Sequence, residues 1–212
     1  MVHRTTARAL TREESKAVTR KRLIDAALKL AGESGGSSLT ASSIAREAGV
    51  AQPTFYVHFR DRDDLLRALG EVQIEGLRRN LARSRSEIDL DAPEGGAPDD
   101  DALRGAFRIA IEAAIGAPVL FRVYIRERTQ TDTPLGRHCR RVADELRADL
   151  VDDLRALDEH LGRERTETRL EMLADGLTAY TEALSLGYLD GRYEDLDEAL
   201  DALSSFARIV LA

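Results

Sequence analysis

Residues 134–161 place an apolar side chain at almost every third or fourth position. The stripe consists of Leu135, Cys139, Val142, Leu146, Leu150, Leu154, Leu157 and Leu161. This spacing matches the 3.6-residue period of an α-helix and holds it for about seven turns. No segment of the chain shows the strict apolar and polar alternation that is typical of a half-buried strand. The sequence therefore predicts an all-α protein.

The same period, interrupted by glycine, proline and serine clusters, predicts about nine helices. The first begins near Glu13 and ends in the Gly- and Ser-rich run 32–38. The others are predicted at Ala41–Ala48, Ala51–His58, Arg62–Ile88, Ala102–Ile115, Pro118–Thr129, Pro134–Leu161, Glu167–Leu189 and Asp195–Leu211. Residues 1–12 are predicted to form a flexible basic arm, and the Asp-, Pro- and Gly-rich residues 89–101 an exposed loop.

Charge is divided unevenly along the 212 residues, whose formal net charge is −7. Residues 1–60 contain ten Lys and Arg against five Asp and Glu, a balance of +5, which leaves −12 for residues 61–212. Phosphate binding needs a local cationic surface rather than a positive protein. A basic head at residues 13–60 on an acidic body at residues 61–212 is therefore compatible with DNA contact at one end.

Several other classes of protein are disfavoured by the sequence. No apolar run approaches the ~20 residues that span a bilayer, and no secretory signal follows the basic N-terminus. Cys139 is the only cysteine, so an internal disulfide is impossible and a thiolate zinc site lacks partners. The four histidines are scattered, and no phosphate-binding glycine loop or nucleophile elbow is present. We expect a cytoplasmic protein that is not an enzyme, has no cofactor or metal, and has no membrane partner.

Two short helices joined at Gly49 predict a helix-turn-helix. Phe55 and Phe59 lie four residues apart on the second helix and should point inward, toward the first. The hydrogen-bonding side chains then point outward, and these are Gln52, Thr54, Tyr56 and His58. Such groups can contact base edges and phosphates. The alternative is that these polar residues lie on the surface of a small helical domain and have no DNA-binding role.

The run from Leu39 to Leu66 reads LTASSIAREAGVAQPTFYVHFRDRDDLL. It resembles the DNA-binding domain of the TetR family of repressors, and the similarity extends over residues 18–70. The resemblance implies a three-helix head, a linking fourth helix, and a ligand-binding body whose last two helices form a dimer. It also implies base contacts by Gln52 and Pro53. Backbone contacts are implied for Thr40, which is also the predicted N-cap, and for Thr54, Tyr56 and His58.

Three positions depart from the family pattern. Arg62 stands where the family usually has a lysine, and Ser42 stands where some members have an arginine that contacts a base. Ala51 replaces a common serine, which removes a hydroxyl that could cap the helix or bind phosphate. Ser42 and Arg62 remain among the predicted DNA-binding residues, and all three mark positions at which operator recognition should differ from that of relatives.

The body is expected to enclose a small hydrophobic effector. The segment Pro118–Thr129 resembles a helix of the TetR subgroup that regulates unsaturated fatty-acid synthesis, in which the ligand is a long-chain acyl-CoA. The alternative is an aromatic or drug-like effector of a repressor that controls an efflux or catabolic gene. The predicted ligand-binding residues are Phe107, Ile111, Phe121, Tyr124, Ile125, Arg128 and Val142, and Met172 is a further apolar candidate.

The last two helices carry wide apolar faces that are typical of a four-helix bundle with a second copy. The predicted dimer residues are Leu177, Tyr180, Leu184, Leu203, Phe206 and Val210. Burial of these faces within one chain is the alternative. A two-fold homodimer would present two recognition helices to a pseudo-palindromic DNA operator.

Overall fold

The computed structural model describes residues 11–34, 39–87 and 100–211. Within these ranges all regular secondary structure is α-helical, in nine helices, as predicted. They are α1 Arg12–Ser34, α2 Ala41–Glu47, α3 Gln52–His58, α4 Arg62–Glu87, α5 Asp100–Gly116, α6 Pro118–Glu127, α7 Pro134–His160, α8 Glu167–Leu189 and α9 Leu196–Leu211. The predicted basic arm and most of the predicted acidic loop lie outside the described residues.

Side-chain caps explain where several helices begin. Thr40 Oγ1 accepts a hydrogen bond from the Ser43 backbone N–H at 3.1 Å, and Ser43 Oγ accepts one from the Thr40 N–H at the same distance. This reciprocal capping box satisfies two backbone donors at the start of α2. At α4, Asp61 Oδ1 accepts from the Asp64 N–H at 2.8 Å. Both caps confirm the prediction from the sequence.

Helices α3, α5 and α9 begin one or two residues from their predicted starts, and Ala51 is the N-cap of α3. Helix α5 begins at Asp100, inside the stretch predicted as loop. Aspartate is a poor residue for a helix interior, but it is favoured in the first turn, where it faces the positive end of the helix dipole. At α9, Asp195 lies outside the helix and caps it, because its Oδ1 accepts from the Asp197 N–H at 2.8 Å.

The chain divides into two compact units after Leu69. The sequence placed this boundary at residue 60, in the loop before α4. The first two turns of α4 instead belong to the first unit, and they contain the buried side chains Leu65, Leu66, Ala68 and Leu69. A boundary drawn at the loop before α4 excludes these residues from the first unit. Helix α4 is continuous, but its residues up to Leu69 belong to the first unit and the later ones to the second.

The core of the second unit lies among α5, α7, α8 and α9. One cluster joins Val151, Leu154, Leu170, Leu173, Ala174, Leu177, Ala207 and Leu211. A second cluster joins Ile111, Leu184, Leu200 and Leu203. Phe107 is partly buried and packs against both clusters. Of the predicted α7 stripe, Leu135, Cys139, Val142 and Leu154 are buried, and Val151, outside the predicted stripe, is buried as well.

Among the helices that the structure describes, none combines the length and the apolar character that crossing a membrane requires. The described residues also contain no group of three or more His, Cys, Asp or Glu side chains arranged to hold a metal ion.

Candidate nucleic-acid interface

A tight turn at Gly49 joins α2 to α3. Gly49 has φ +66°, in the left-handed region that side chains disfavour, and Ala48 caps α2 by donating its N–H to the Ile44 and Arg46 carbonyls. Arg22 of α1 donates from Nη2 to the Ala48 carbonyl at 2.5 Å. This bond ties the first helix to the turn and helps to fix the orientation of α3.

Helix α3 has a buried face and an exposed face. Phe55 and Phe59 are each 1% exposed, and their ring centroids lie 5.5 Å apart, which confirms that they point inward. On the other face Gln52 and Pro53 are exposed, and Tyr56 is 57% exposed. Pro53 occupies the first turn, where a missing N–H leaves no bond unmade. The two phenylalanines therefore hold three potential DNA-contacting side chains on a fixed support.

Two predicted contact residues of α3 are only half-exposed, namely Thr54 and His58. His58 Nδ1 is buried and has no hydrogen-bond partner among the described residues. Burial lowers the pKa of His58, and the nearby charges of Lys16 and Arg20 lower it further. Both effects favour the neutral imidazole, and only part of the ring is available to a ligand.

A cleft of about 310 Å³ opens beside Tyr56. Its lining residues are Leu39, Thr40, Ala41, Ile44, Phe55, Tyr56, Arg60, Asp61 and Arg62. Arg62 is exposed at the N-terminus of the 26-residue α4, where backbone N–H groups and the helix dipole favour an anion. The Thr40 hydroxyl accepts from the Ser43 N–H and still has a proton to donate. A cation, two hydroxyls and a helix N-terminus thus converge around a space of suitable size for a phosphate.

The departures from the family pattern have structural counterparts. Ala51 is the N-cap of α3 and makes no side-chain cap bond, which agrees with the loss of a serine hydroxyl. Ser42 is exposed on α2, so a short hydroxyl takes the place of a long guanidinium on that surface. The Ser42 side chain therefore extends less far from α2 than an arginine would.

In the second unit, the aromatic residues of α6 form a stacked pair beside an ion pair. The rings of Phe121 and Tyr124 are 6.4 Å apart, and the Arg128 guanidinium lies 5.3 Å from the centre of the Tyr124 ring. Arg128 binds both carboxylate oxygens of Glu182 on α8, with Nη2 to Oε2 at 2.7 Å. Burial, followed by the charge of Glu182, raises the pKa of Tyr124 to about 12.

All three arginines of the Pro118–Thr129 segment have carboxylate partners. Arg122 Nη2 lies 2.7 Å from Asp190 Oδ1, and Arg126 Nη2 lies 2.8 Å from Glu127 Oε1. The Arg122 and Arg126 side chains are 46% and 65% exposed, whereas Arg128 is 29% exposed and its partner only 13%. Exposed pairs of this kind contribute little and exchange partners readily. Arg128 is the residue of the three that the fold holds most firmly.

The other predicted ligand residues divide into core and surface. Ile111 has no exposed surface and packs against Leu184, Leu200 and Leu203, and Val142 is also buried. In this structure the two side chains are core residues, and their contact with a ligand stays a prediction. Phe107, Phe121, Tyr124 and Ile125 remain partly buried. Met172, at 62% exposed, lies on the surface of α8 and is not a core residue.

The predicted dimer residues also divide. Leu177, Leu184 and Leu203 are buried in the two clusters within one chain. Such side chains have little surface left to contact a second copy, and their role in a dimer stays a prediction. Tyr180 and Phe206 are half-exposed and meet edge to face at 5.0 Å. Val210 is half-exposed as well.

A different face of α8 and α9 was missed by the sequence analysis. Met172, Ala179 and Ala183 are exposed along one side of α8, and Ala202 and Ile209 along one side of α9. Ile209 is 77% exposed. The spacing of seven and four residues between these small and apolar side chains could have revealed this face. It was overlooked because the larger leucines dominate the apolar pattern.

Comparison with known proteins agrees with this geometry. Residues 23–69 match the family model described as bacterial regulatory proteins, tetR family. A TetR-family transcriptional regulator from Rhodococcus sp. superposes with a TM-score of 0.69 at 19% identity, covering 92% of this chain and 100% of that one. The fatty acid degradation regulator FadR from Bacillus halodurans superposes with a TM-score of 0.65 at 20% identity, covering 92% and 95%.

The third comparison is with Thermus thermophilus FadR, a TetR family transcriptional repressor solved in complex with lauroyl-CoA. Its TM-score is 0.63 at 24% identity, with 91% of this chain and 93% of that chain covered. At these identities the superpositions establish a shared fold, while the match at residues 23–69 establishes the DNA-binding domain. Residues 23–69, which contain the helix-turn-helix on α2 and α3, thus match the tetR family of bacterial regulatory proteins, and the chain shares the fold of TetR-family regulators.

Proposed function

We propose that the chain is a ligand-responsive repressor that binds a pseudo-palindromic DNA operator as a homodimer. The observation that supports this most directly is the exposed face of α3. Gln52, Pro53 and Tyr56 project from a helix whose other face is anchored by Phe55 and Phe59. A short helix that is rigid on one side and polar on the other is suited to the major groove.

Each side chain of this face has a chemical role in the proposal. The Gln52 amide can donate to and accept from the edge of adenine, and the Pro53 ring can pack on a thymine methyl. The Tyr56 and Thr40 hydroxyls and the Arg62 guanidinium surround the cleft and would hold a backbone phosphate. The remaining predicted contact residues are Ser42, Thr54 and His58. They would make further contacts to the DNA backbone around the cleft.

Selection from random duplexes tests the proposal. We expect an enriched pseudo-palindrome whose half-sites lie about one helical turn apart, roughly 34 Å. Gln52→Ala should relax the preference at one or two positions, while Tyr56→Phe should weaken binding to all sequences about tenfold or more by removing a bond to a charged group. Tyr193→Phe is a matched control, because Tyr193 is a 41% exposed tyrosine of the second unit. Failure to enrich any sequence would contradict the proposal.

For dimerisation we propose the exposed face of α8 and α9 rather than the leucines. Met172, Ala179, Ala183 and Ile209 combine small side chains, which permit close helix approach, with two large exposed apolar side chains. Half-exposed Phe206 and Val210 flank this face, and Tyr180 contacts Phe206 edge to face. Such a face would form a four-helix bundle with its symmetry mate.

A charge placed on this face should abolish the dimer. Ala183→Arg introduces a long cation at a position of close approach, so sedimentation at micromolar concentration should show a monomer. Ala156→Arg on α7 places the same cation on an exposed alanine outside the proposed face and is the control. A dimer that survives Ala183→Arg, with its helix content intact, would rule out this interface.

For the effector we propose a long-chain acyl-CoA. Two of the regulators with the same fold are fatty-acid regulators, and one of them was solved with lauroyl-CoA. Arg122 and Arg126 are exposed, and their ion pairs are weak enough to exchange for phosphates, whose geometry suits guanidinium groups. Arg128 is less available, because a phosphate would have to displace Glu182.

Ligand-dependent stability and DNA release distinguish the effectors. A long-chain acyl-CoA should raise the unfolding temperature and change operator affinity, whereas free CoA or the free fatty acid should do less. Arg122→Gln with Arg126→Gln should weaken the response to acyl-CoA while leaving ligand-free DNA binding unchanged. A response to aromatic drug-like compounds without any response to acyl-CoA would favour the efflux or catabolic alternative.

A further inference from the structure

We propose that the first turns of α1 form a second DNA-contacting surface, which binds backbone phosphates beyond the base pairs read by α3. The surface consists of Arg12, Lys16 and Arg20, hereafter the α1 stripe. It rests on the proposed function, since its partner is the same duplex. It adds a contact that the helix-turn-helix does not contain.

The α1 stripe lies on a part of α1 that contributes no buried side chain to the core. Every residue from Thr11 to Arg22 is exposed except Thr19, which is half-exposed, and the first buried side chain is Leu23. Three turns of helix therefore present their side chains to solvent. Burial within the head therefore does not account for this part of α1.

The three cations share one side of the helix. Their spacing of four residues rotates each by about 40° from the one before, so they form a continuous ridge. Within the described part of the chain, none of them lies within ion-pair distance of a carboxylate. Lys21 and Lys29, on other sides of α1, pair with Asp25 and Glu47 at 2.7 and 2.6 Å. The three ridge cations thus keep their positive charge, whereas Lys21 and Lys29 are neutralised by their ion pairs.

The ridge lies beside the C-terminal end of the recognition helix. Arg20 Cζ is 4.9 Å from the centre of the Phe59 ring, which directly follows α3. The charges of Lys16 and Arg20 both reach His58 at the last turn of α3. A duplex seated on the exposed face of α3 would consequently have its backbone close to these two cations.

Arg12 extends the surface outward from that point. Eight residues separate it from Arg20, which corresponds to about 12 Å along the helix. At 3.4 Å per base pair, this length matches roughly three to four base pairs of duplex. The structure thus supplies the charge, the exposure and the reach for contacts to phosphates that flank the operator half-site. Glu14 lies on the far side of the helix and accepts from the Thr11 N–H at 2.7 Å. Glu13 lies three residues before Lys16 on the side of the ridge, so the surface carries three cations and one carboxylate and remains positive overall.

The test measures how DNA affinity depends on salt and on duplex length. The Arg12→Gln, Lys16→Gln, Arg20→Gln triple variant is compared with the wild-type chain and with Lys21→Gln, a cation of the same helix that lies outside the ridge. Each is titrated with the selected operator carrying either minimal flanks or four further base pairs on each side. Circular dichroism and thermal unfolding check that each variant is folded. The Arg12→Gln, Lys16→Gln double variant leaves the Arg20 contact with Phe59 intact.

The wild-type chain should bind the longer duplex more tightly, and the triple variant should lose this gain. Each lost phosphate contact should reduce the slope of log K against log salt by about 0.9, or up to about 3 per head. The sequence preference should not change, and Lys21→Gln should behave as wild type. Unchanged slope and flank dependence in folded variants would overturn the inference.

These outcomes separate the α1 stripe from the repressor proposal. If the wild-type chain binds duplex DNA without sequence preference, the repressor proposal fails, while the salt slopes still decide whether the stripe contacts phosphate. If binding is sequence-specific but indifferent to the three cations, only the stripe fails. Absence of any duplex binding would refute both.

Discussion

Arg128 of α6 and Glu182 of α8 form a two-pronged ion pair, with Arg128 Nη2 2.7 Å from Glu182 Oε2. The side chains are 29% and 13% exposed, so the pair is shielded from much of the solvent. The ring of Tyr124 lies under the guanidinium at 5.3 Å. A cation, a carboxylate and a phenol are thereby joined across two helices of the body.

Removing both members of this pair should destabilise the protein less than the two single changes added together. Arg128→Met leaves Glu182 without its counterion, and Glu182→Gln leaves Arg128 in the same condition, each costing about 1–3 kcal/mol of unfolding free energy. The double variant should cost less than the sum of the two. Urea denaturation of all four proteins measures the coupling. Strict additivity would show that the two side chains do not interact in solution.

The phenol of Tyr124 should ionise only near pH 12. Burial disfavours its charged form, and the negative charge of Glu182 raises the pKa further. Glu182→Gln should therefore lower the pKa of Tyr124 toward 10, the ordinary value. Tyrosinate absorbance followed against pH, with Tyr124→Phe to identify the signal among five tyrosines, measures the shift. A Tyr124 that titrates normally in the wild type would contradict its burial.

Gly49→Ala should destabilise the head by about 1–2 kcal/mol. At φ +66° an added Cβ is strained, and it would also lie 3.1 Å from Arg22 Nη2, which bonds to the Ala48 carbonyl. Gly105→Ala is the control, since this glycine of α5 has no positive φ and no atom within 4 Å of the added Cβ. That change should stabilise the chain by about 0.5–1 kcal/mol. Equal effects on thermal unfolding would refute the turn geometry.

His58 should titrate below its ordinary pKa of 6.5 in the free protein. Burial is the main cause, and the charges of Lys16 and Arg20 add to it, so Lys16→Gln should raise the pKa of His58. Since the unfolded chain binds this proton more readily, the contribution of His58 to stability is present above pH 6.5 and falls as the pH drops. Proton NMR of the four histidines measures the pKa. Lys21→Gln should leave it unchanged.

Much of the fold could be predicted because its determinants are local. Apolar periodicity, the Thr40 and Asp61 caps, and the glycine and proline positions specify helices through interactions within a few residues. The prediction of Glu167–Leu189 matches α8 at both ends. The start of α5 was misplaced because an acidic stretch was interpreted by composition, although the same residue type is favoured in a first helical turn.

The candidate site was predictable in part. The four-residue spacing of Phe55 and Phe59 predicts that both point inward. The positions of Gln52, Pro53 and Tyr56 between and before them on the helix predict that these side chains point outward. The half-buried state of His58 did not follow, because it depends on the approach of α1, which is distant in the sequence. The same is true of the α1 stripe, whose location beside α3 is a tertiary relationship.

The sequence by itself determined which segments are helical, where the helix-turn-helix lies, and which family the head resembles. Only the tertiary structure decided that Leu177, Leu184 and Leu203 belong to the core of one chain, and that Arg128 is committed to Glu182. The physical reason lies in what a side chain's type reveals. An apolar or charged side chain needs a packing or ion-pair partner, but its type does not specify which residue that partner is. A leucine loses water equally well against its own chain or a second copy, so its partner is fixed by how the helices pack.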